Sequence, residues 1–231
     1  MISILNLKKE YNGVSVVEIP TLQISKADNF GLVGNNGAGK TTLFRLLLDL
    51  ARPTAGEILV NNKNVQNYYE WKRHVGSYLD ESFLISYLTP DEYFSFVGEL
   101  HDYGADDLKI LLSSYDEFLN GEIVGTKKYI RDLSKGNLKK VGIVAALIGQ
   151  PGIVVLDEPF ENLDPTSQIR LKRIILNEYK SRNTTFLISS HDLNHVTEIC
   201  NRIVLMEKGK IIKDLKGGHE ALMELETYFK T

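Results

Sequence analysis

The stretch Gly34-Asn-Asn-Gly-Ala-Gly-Lys-Thr-Thr42 places three glycines in six positions. Glycine loses more backbone freedom on folding than any other residue, so such a run is costly unless the chain needs conformations that other residues resist. Gly34, Gly39, Lys40 and Thr41 fit the pattern G-x-x-x-x-G-K-[ST]. In front lies the short apolar run Phe30-Gly-Leu-Val33. Behind it, Leu43, Leu46, Leu47 and Leu50 recur at helical spacing, which predicts a helix over 42–50. Strand, glycine loop and helix in that order read as a phosphate-binding loop. The backbone N–H groups of Gly34, Asn35, Asn36, Gly37, Ala38 and Gly39 would form an anion nest, and the helix that opens at Lys40, Thr41 and Thr42 adds the positive end of its dipole. Lys40 would reach the β- and γ-phosphates of a nucleotide, and the Thr41 hydroxyl would ligate Mg²⁺.

Around this loop the pattern changes twice. Residues 2–7 alternate and predict a strand, with two further short strands at 14–19 and 22–24 and another at 57–60 after the turn Pro53-Thr-Ala-Gly56. Between 89 and 148 strand runs nearly vanish, and leucines, tyrosines and phenylalanines recur at helical spacing. Thr89-Pro-Asp-Glu92 is a helix start, with proline at the first helical position and acids in the first turn. Strand character returns at Ile153-Val-Val-Leu156 and at 184–188. Strands alternating with helices predict an α/β core with a mostly parallel sheet, composed of residues 1–88 and 149–231, into which 89–148 is inserted as a helical lobe.

Composition sets limits. The chain has 231 residues, 43% hydrophobic and 25% charged, enough for one large domain or one domain with an insertion. A net charge of −3 gives no overall pull toward nucleic acid or anionic lipid. The single cysteine, Cys200, rules out an internal disulfide and reads as a small apolar filler. No secretory signal is visible, and the longest apolar stretch, 141–148, is far short of the ~20 residues of a spanning helix. A membrane role would therefore need spans from another chain. About twenty residues follow the strands near 204–212, too few for a regulatory domain, and a final helix over 220–229 is expected to pack on the core.

Ile153-Val-Val-Leu-Asp-Glu-Pro159 reads as a buried strand that delivers Asp157 to its end as an oxygen ligand for Mg²⁺, with Glu158 next to it, placed to polarise an attacking water. Here the chain resembles the nucleotide-binding domain of ABC ATPases, through nearly its whole length. Leu133-Ser-Lys-Gly-Asn137 is similar to the LSGGQ signature, Leu163-Asp164 to the D-loop, His191 after Ser189-Ser190 to the switch histidine, and Tyr11 to the aromatic that stacks on adenine.

The resemblance implies a P-loop NTPase fold with an N-terminal antiparallel β part, binding ATP and Mg²⁺. It implies that two such domains, identical or closely related, meet head to tail. Each ATP would then lie between the P-loop of one and Ser134 and the Gly136 N–H of the other, with Asp164 coupling the sites. Glu158 would act as general base, His191 would touch the γ-phosphate, and Lys40 would compensate charge. Lys135 and Asn137 depart from the signature, while Ser134 and Gly136 are kept. At the Q-loop, Val75-Gly-Ser-Tyr-Leu-Asp-Glu81 has Asp80, or Glu81 if the register slips by one, where glutamine is usual; a carboxylate there is a further oxygen for the metal. The resemblance further implies an ATP-binding transporter subunit, cytoplasmic and held on the inner face of the cell membrane by separate membrane-spanning permease subunits. The alternative is a soluble ATPase of the same family acting on nucleic acid or a protein complex.

Three other patterns in the sequence carry competing readings. His191-Asp-Leu-Asn-His195 has the spacing of a zinc-binding helix, but His191 ends a strand and no third ligand stands out, so His195 reads as a surface histidine. Lys127, Lys128, Arg131, Lys135, Lys139 and Lys140 form a basic run, read as a charged helix face rather than a nucleic-acid track. Phe83, Leu84, Ile85, Tyr87, Leu88, Tyr93, Phe94 and Phe96 read mostly as core of the helical segment, with some members lining a groove for a partner's cytoplasmic helix.

Overall fold

The computed structural model describes residues 1–230. The chain opens with β1 (Ile2–Tyr11) and β2 (Val14–Ile24), an antiparallel hairpin, and then β3 (Asn29–Val33), which runs into the glycine loop and α1 (Lys40–Leu47). The two strands expected at 14–19 and 22–24 are one. Pro20 does not break it because β2 is an edge strand, so the missing N–H interrupts no second ladder. The helix after the loop starts at Lys40 and ends at Leu47. Leu50, expected on its apolar face, lies beyond a left-handed Asp49 and is exposed.

β4 (Ala55–Val60) and β5 (Lys63–Asn64) complete a four-stranded antiparallel sheet in the order β2-β1-β4-β5. β6 (Val75–Tyr78) is followed by α2 (Pro90–Leu100), α3 (Ala105–Ser113), α4 (Asp116–Leu119) and α5 (Lys135–Leu147) before the chain returns to β7 (Ile153–Leu156), the parallel neighbour of β6. α2 opens with the full capping box that its sequence announces. The Glu92 N–H donates to Thr89 Oγ1, and the Thr89 N–H donates to the Glu92 carboxylate. α6 (Pro165–Arg182), β8 (Thr185–Ser190), α7 (Leu193–Ile199), β9 (Arg202–Glu207), β10 (Lys210–Lys216) and α8 (His219–Lys230) complete the chain.

The second sheet has the order β10-β9-β3-β8-β7-β6, with every pair parallel except β10 with β9. Its two faces feed two cores, because successive strand residues point to opposite sides. Leu32, Val155, Leu187 and Val204 pack with α1 and the antiparallel sheet, whereas Val33, Leu156, Phe186, Ile188 and Leu205 pack with the helices, Ala221 and Leu225 of α8 among them. α5 lies against β6. A Cβ on Gly142 would stand 2.1 Å from the Tyr78 ring, and one on Gly76 would stand 1.7 Å from the Ala146 carbonyl oxygen, so this approach needs both glycines. No helix among the described residues is long and apolar enough to cross a membrane.

Candidate active site at the carboxyl ends of the parallel strands

The glycine loop leaves β3 and returns as the start of α1. Gly39, the residue before the helix, has φ +107 and would drive a Cβ to 2.6 Å from the Val16 carbonyl oxygen. No side chain caps α1, so its first N–H groups stay open to a ligand. The β9–β10 hairpin pins the loop from behind, with the Gly209 N–H donating to the Ala38 carbonyl at 2.8 Å.

Lys40 is buried, and its ammonium donates to the Gly34 carbonyl at 2.6 Å. The Thr41 hydroxyl donates to Asp157 Oδ2 at 2.5 Å. Burial pushes the Asp157 carboxyl above the usual range, opposed by the hydroxyls of Ser189 and Thr41 that donate to it. Glu158 follows in a left-handed conformation, φ +46. Its Oε1 stands 3.3 Å from Lys40 Nζ, buried and without a well-directed hydrogen bond, while its Oε2 lies 2.9 Å from His191 Nδ1. Three strand ends and the start of α1 thus bring Lys40, Thr41, Asp157, Glu158 and His191 together. A buried cation, an open helix start and two hard oxygens fit a phosphate group and a small divalent cation.

The remaining expected residues stand apart from that cluster. Ser134 caps α5, its Oγ accepting from the Asn137 N–H at 3.3 Å, and a Cβ on Gly136 would meet the Asn162 carbonyl oxygen at 2.9 Å. Asp164 caps α6, its Oδ1 accepting from the Ser167 N–H at 3.0 Å. Tyr11 is exposed at the end of β1, with Lys9 Nζ 4.7 Å from its ring centroid. No hydrogen bond or ion pair among the described residues ties Ser134, Asp164 or Tyr11 to Lys40. Asp80 is engaged elsewhere, with Oδ1 accepting from the Ser82 N–H at 2.8 Å and Oδ2 3.5 Å from Arg45.

Two expectations are corrected. The basic run is not one solvated face: Lys127, Lys128, Arg131 and Lys135 are exposed, whereas Lys139 and Lys140 are buried. His195 is half-buried rather than freely exposed. Its ring packs on Phe160, 4.6 Å between centroids, and its Nδ1 is buried without a partner. As expected, His191 lies at a strand end: it precedes α7, which Asp192 caps, so the two histidines do not share a helix face. Two residues escaped the sequence reading. Ser189 donates to Asp157 and accepts from the Glu158 N–H at 2.9 Å, and Lys139 Nζ donates to the Glu158 carbonyl at 2.6 Å. Strand alternation between Ser189 and His191 was the available signal for the first; nothing local marked the second.

A model of the family described as ABC transporter matches residues 17–161. The chain belongs to the ABC transporter family. It is a nucleotide-binding ATPase domain of that family, with the P-loop NTPase fold. An ABC transporter ATP-binding protein of Methanocaldococcus jannaschii is 34% identical over 213 residues, 91% of this chain and 76% of that protein. The bacitracin transport ATP-binding protein of Bacillus licheniformis is 31% identical over 224 residues, 95% of this chain and 71% of that one. Among solved structures, a dimeric ATP-binding cassette in a post-hydrolysis state with ADP and Pi superposes on this ABC domain with TM-score 0.82 at 20% identity, covering 94% of this chain and 98% of that one.

Proposed function

We propose that this ABC domain hydrolyses MgATP in a head-to-tail dimer and drives transport through separate membrane-spanning subunits. The observation that carries the reading is the convergence of Lys40, Thr41, Asp157, Glu158 and His191 on one point. The glycine loop and Lys40 bind the β- and γ-phosphates, and Tyr11 stacks on the base. Mg²⁺ fits Thr41 and Asp157, with Asp80 or Glu81 as a further oxygen, and would supply charge compensation to the phosphate oxygens. Glu158 takes a proton from water as the new P–O bond forms and the bond to the ADP oxygen breaks. His191, paired with Glu158, holds the water in line. Ser134 and Gly136 of the second copy close over the γ-phosphate, and Asp164 faces the neighbouring site. Loss of that phosphate lets the halves part.

The domain would sit on the cytoplasmic face of the membrane through its partners. A groove of about 310 Å³ beside β6 and α2, lined by Leu50, Trp71, Phe83, Leu84, Tyr93 and Val97, suits an amphipathic helix of a permease. Of the aromatic run that leads into α2, Phe83 and Tyr87 are exposed, while Leu84 and, within the helix, Phe94 are buried. Two measurements test the reading: Mg²⁺-dependent ATP turnover by the purified chain, and affinity purification from membranes. Polar substitutions at Phe83 and Tyr87 should release the spanning partner. A partner that stays bound removes the groove from the proposal.

A further inference from the structure

Lys139 lies on α5 five residues beyond the Ser134 cap, and it is buried. Burying an ammonium is unfavourable unless it is paired and hydrogen-bonded. Burial lowers the Lys139 pKa, while the charges of Glu161, Glu158, Glu81 and Asp157 oppose that shift. Its hydrogen bond goes not to a carboxylate but to the backbone carbonyl of Glu158, at 2.6 Å. That peptide is unusual. Glu158 has φ +46, a conformation that residues with a Cβ avoid, and it is held there from two sides. Ser189 Oγ accepts from its N–H at 2.9 Å, and Lys139 donates to its C=O. In this conformation the side chain reaches both Lys40 and His191.

We propose that Lys139 is a positioning residue for hydrolysis: its ammonium fixes the left-handed Glu158 peptide and thereby aims the Glu158 carboxylate. This deepens the function proposed above and rests on Glu158 being the base. Without the charged donor, the carbonyl has a buried lone pair to satisfy and the left-handed conformation loses one of its two anchors. A small displacement of the base is then enough to slow the chemical step, while the phosphate-binding loop, held by β3 and α1, is untouched.

The test compares Lys139→Met, which keeps the stem and removes the donor, with Lys139→Gln, which keeps a neutral donor. In the full chain, Lys139→Met should lower kcat for MgATP about 10- to 100-fold with KM for ATP within about twofold of the parent, and Lys139→Gln should recover most of the loss. Crystal structures of the nucleotide-free variants supply a readout that needs no turnover. Glu158 should leave its left-handed conformation and His191 in Lys139→Met, and keep both in Lys139→Gln. Parental kcat in Lys139→Met, or an unmoved Glu158 in its crystal structure, overturns the inference. So does an equal loss of kcat and thermal stability in both variants, which marks a packing role. If the parent chain turns over no ATP, the proposed function fails, and the position of Glu158 in the Lys139→Met structure still decides the role of Lys139.

Discussion

Lys40 Nζ and Glu158 Oε1 stand 3.3 Å apart, so the ammonium of the glycine loop faces the carboxylate that follows β7. In the proposed reaction an incoming γ-phosphate would compete with that carboxylate for the same cation. Glu158→Gln would remove the competitor together with the proposed base. Turnover should fall about 10²- to 10⁴-fold, while MgATP binds at least as tightly and the protein accumulates as a closed dimer. Phosphate release and size-exclusion chromatography with ATP check both; parental turnover removes Glu158 from its role.

The hydroxyl of Thr41, exposed in the first turn of α1, donates at 2.5 Å to the buried Asp157 carboxylate. Thr41→Val keeps the shape and deletes the donor. It should cost about 1–3 kcal/mol, since the carboxylate loses one of its two hydroxyl partners. It should also raise the Mg²⁺ concentration needed for half-maximal turnover. Thr41→Ser should restore both, as read by chemical denaturation and by Mg²⁺ titration of the ATPase.

Asp164 caps α6 through the Ser167 N–H and hydroxyl. Asp164→Ala should destabilise the chain by about 0.5–2 kcal/mol, whereas Asp164→Asn, an equally good cap, should retain most of the stability. A larger effect of Asp164→Asn on turnover than on Tm separates the charge across the dimer interface from the cap.

Burial lowers the His195 pKa below its ordinary 6.5, against the pull of Asp192 and Glu198, with Lys172 and His191 reinforcing the shift. The unfolded chain therefore takes up the proton first as pH falls. Stability carried by neutral His195 is full above the unfolded value and declines as pH drops beneath 6.5. His195→Phe keeps the contact with Phe160 and should gain on the parent between pH 8 and pH 5.5 in denaturant titrations. A gain in the opposite direction would contradict the burial.

Gly76 lets β6 approach α5, its absent Cβ falling 1.7 Å from the Ala146 carbonyl oxygen. Gly76→Ala forces the strand and helix apart and should cost about 1–3 kcal/mol, a Tm drop of several degrees for a chain of this size. Calorimetry measures it, and an unchanged Tm would mean that the approach is not needed.

What could be read without coordinates was local. The glycine loop, the start of α2 at Thr89 and the apolar strand ending at Asp157 all follow from contacts between residues a few positions apart, where propensity, capping and φ preferences act directly. The alternation of strands and helices then implied the parallel sheet. Lys139 and Lys140 resembled their exposed neighbours because nothing adjacent says that a lysine is buried. Lys139 is inside because a carbonyl nineteen residues away, turned by a left-handed Glu158, needs a donor. Ser189 joins Asp157 and Glu158 only because β7 and β8 pair in parallel at one register. The primary structure marked the glycine loop and most of the strand and helix segments, although it split β2 in two and carried α1 to Leu50. The packing of β6, β7, β8 and α5 decided which of them meet, since charge, burial and backbone strain are compensated only by partners distant along the chain.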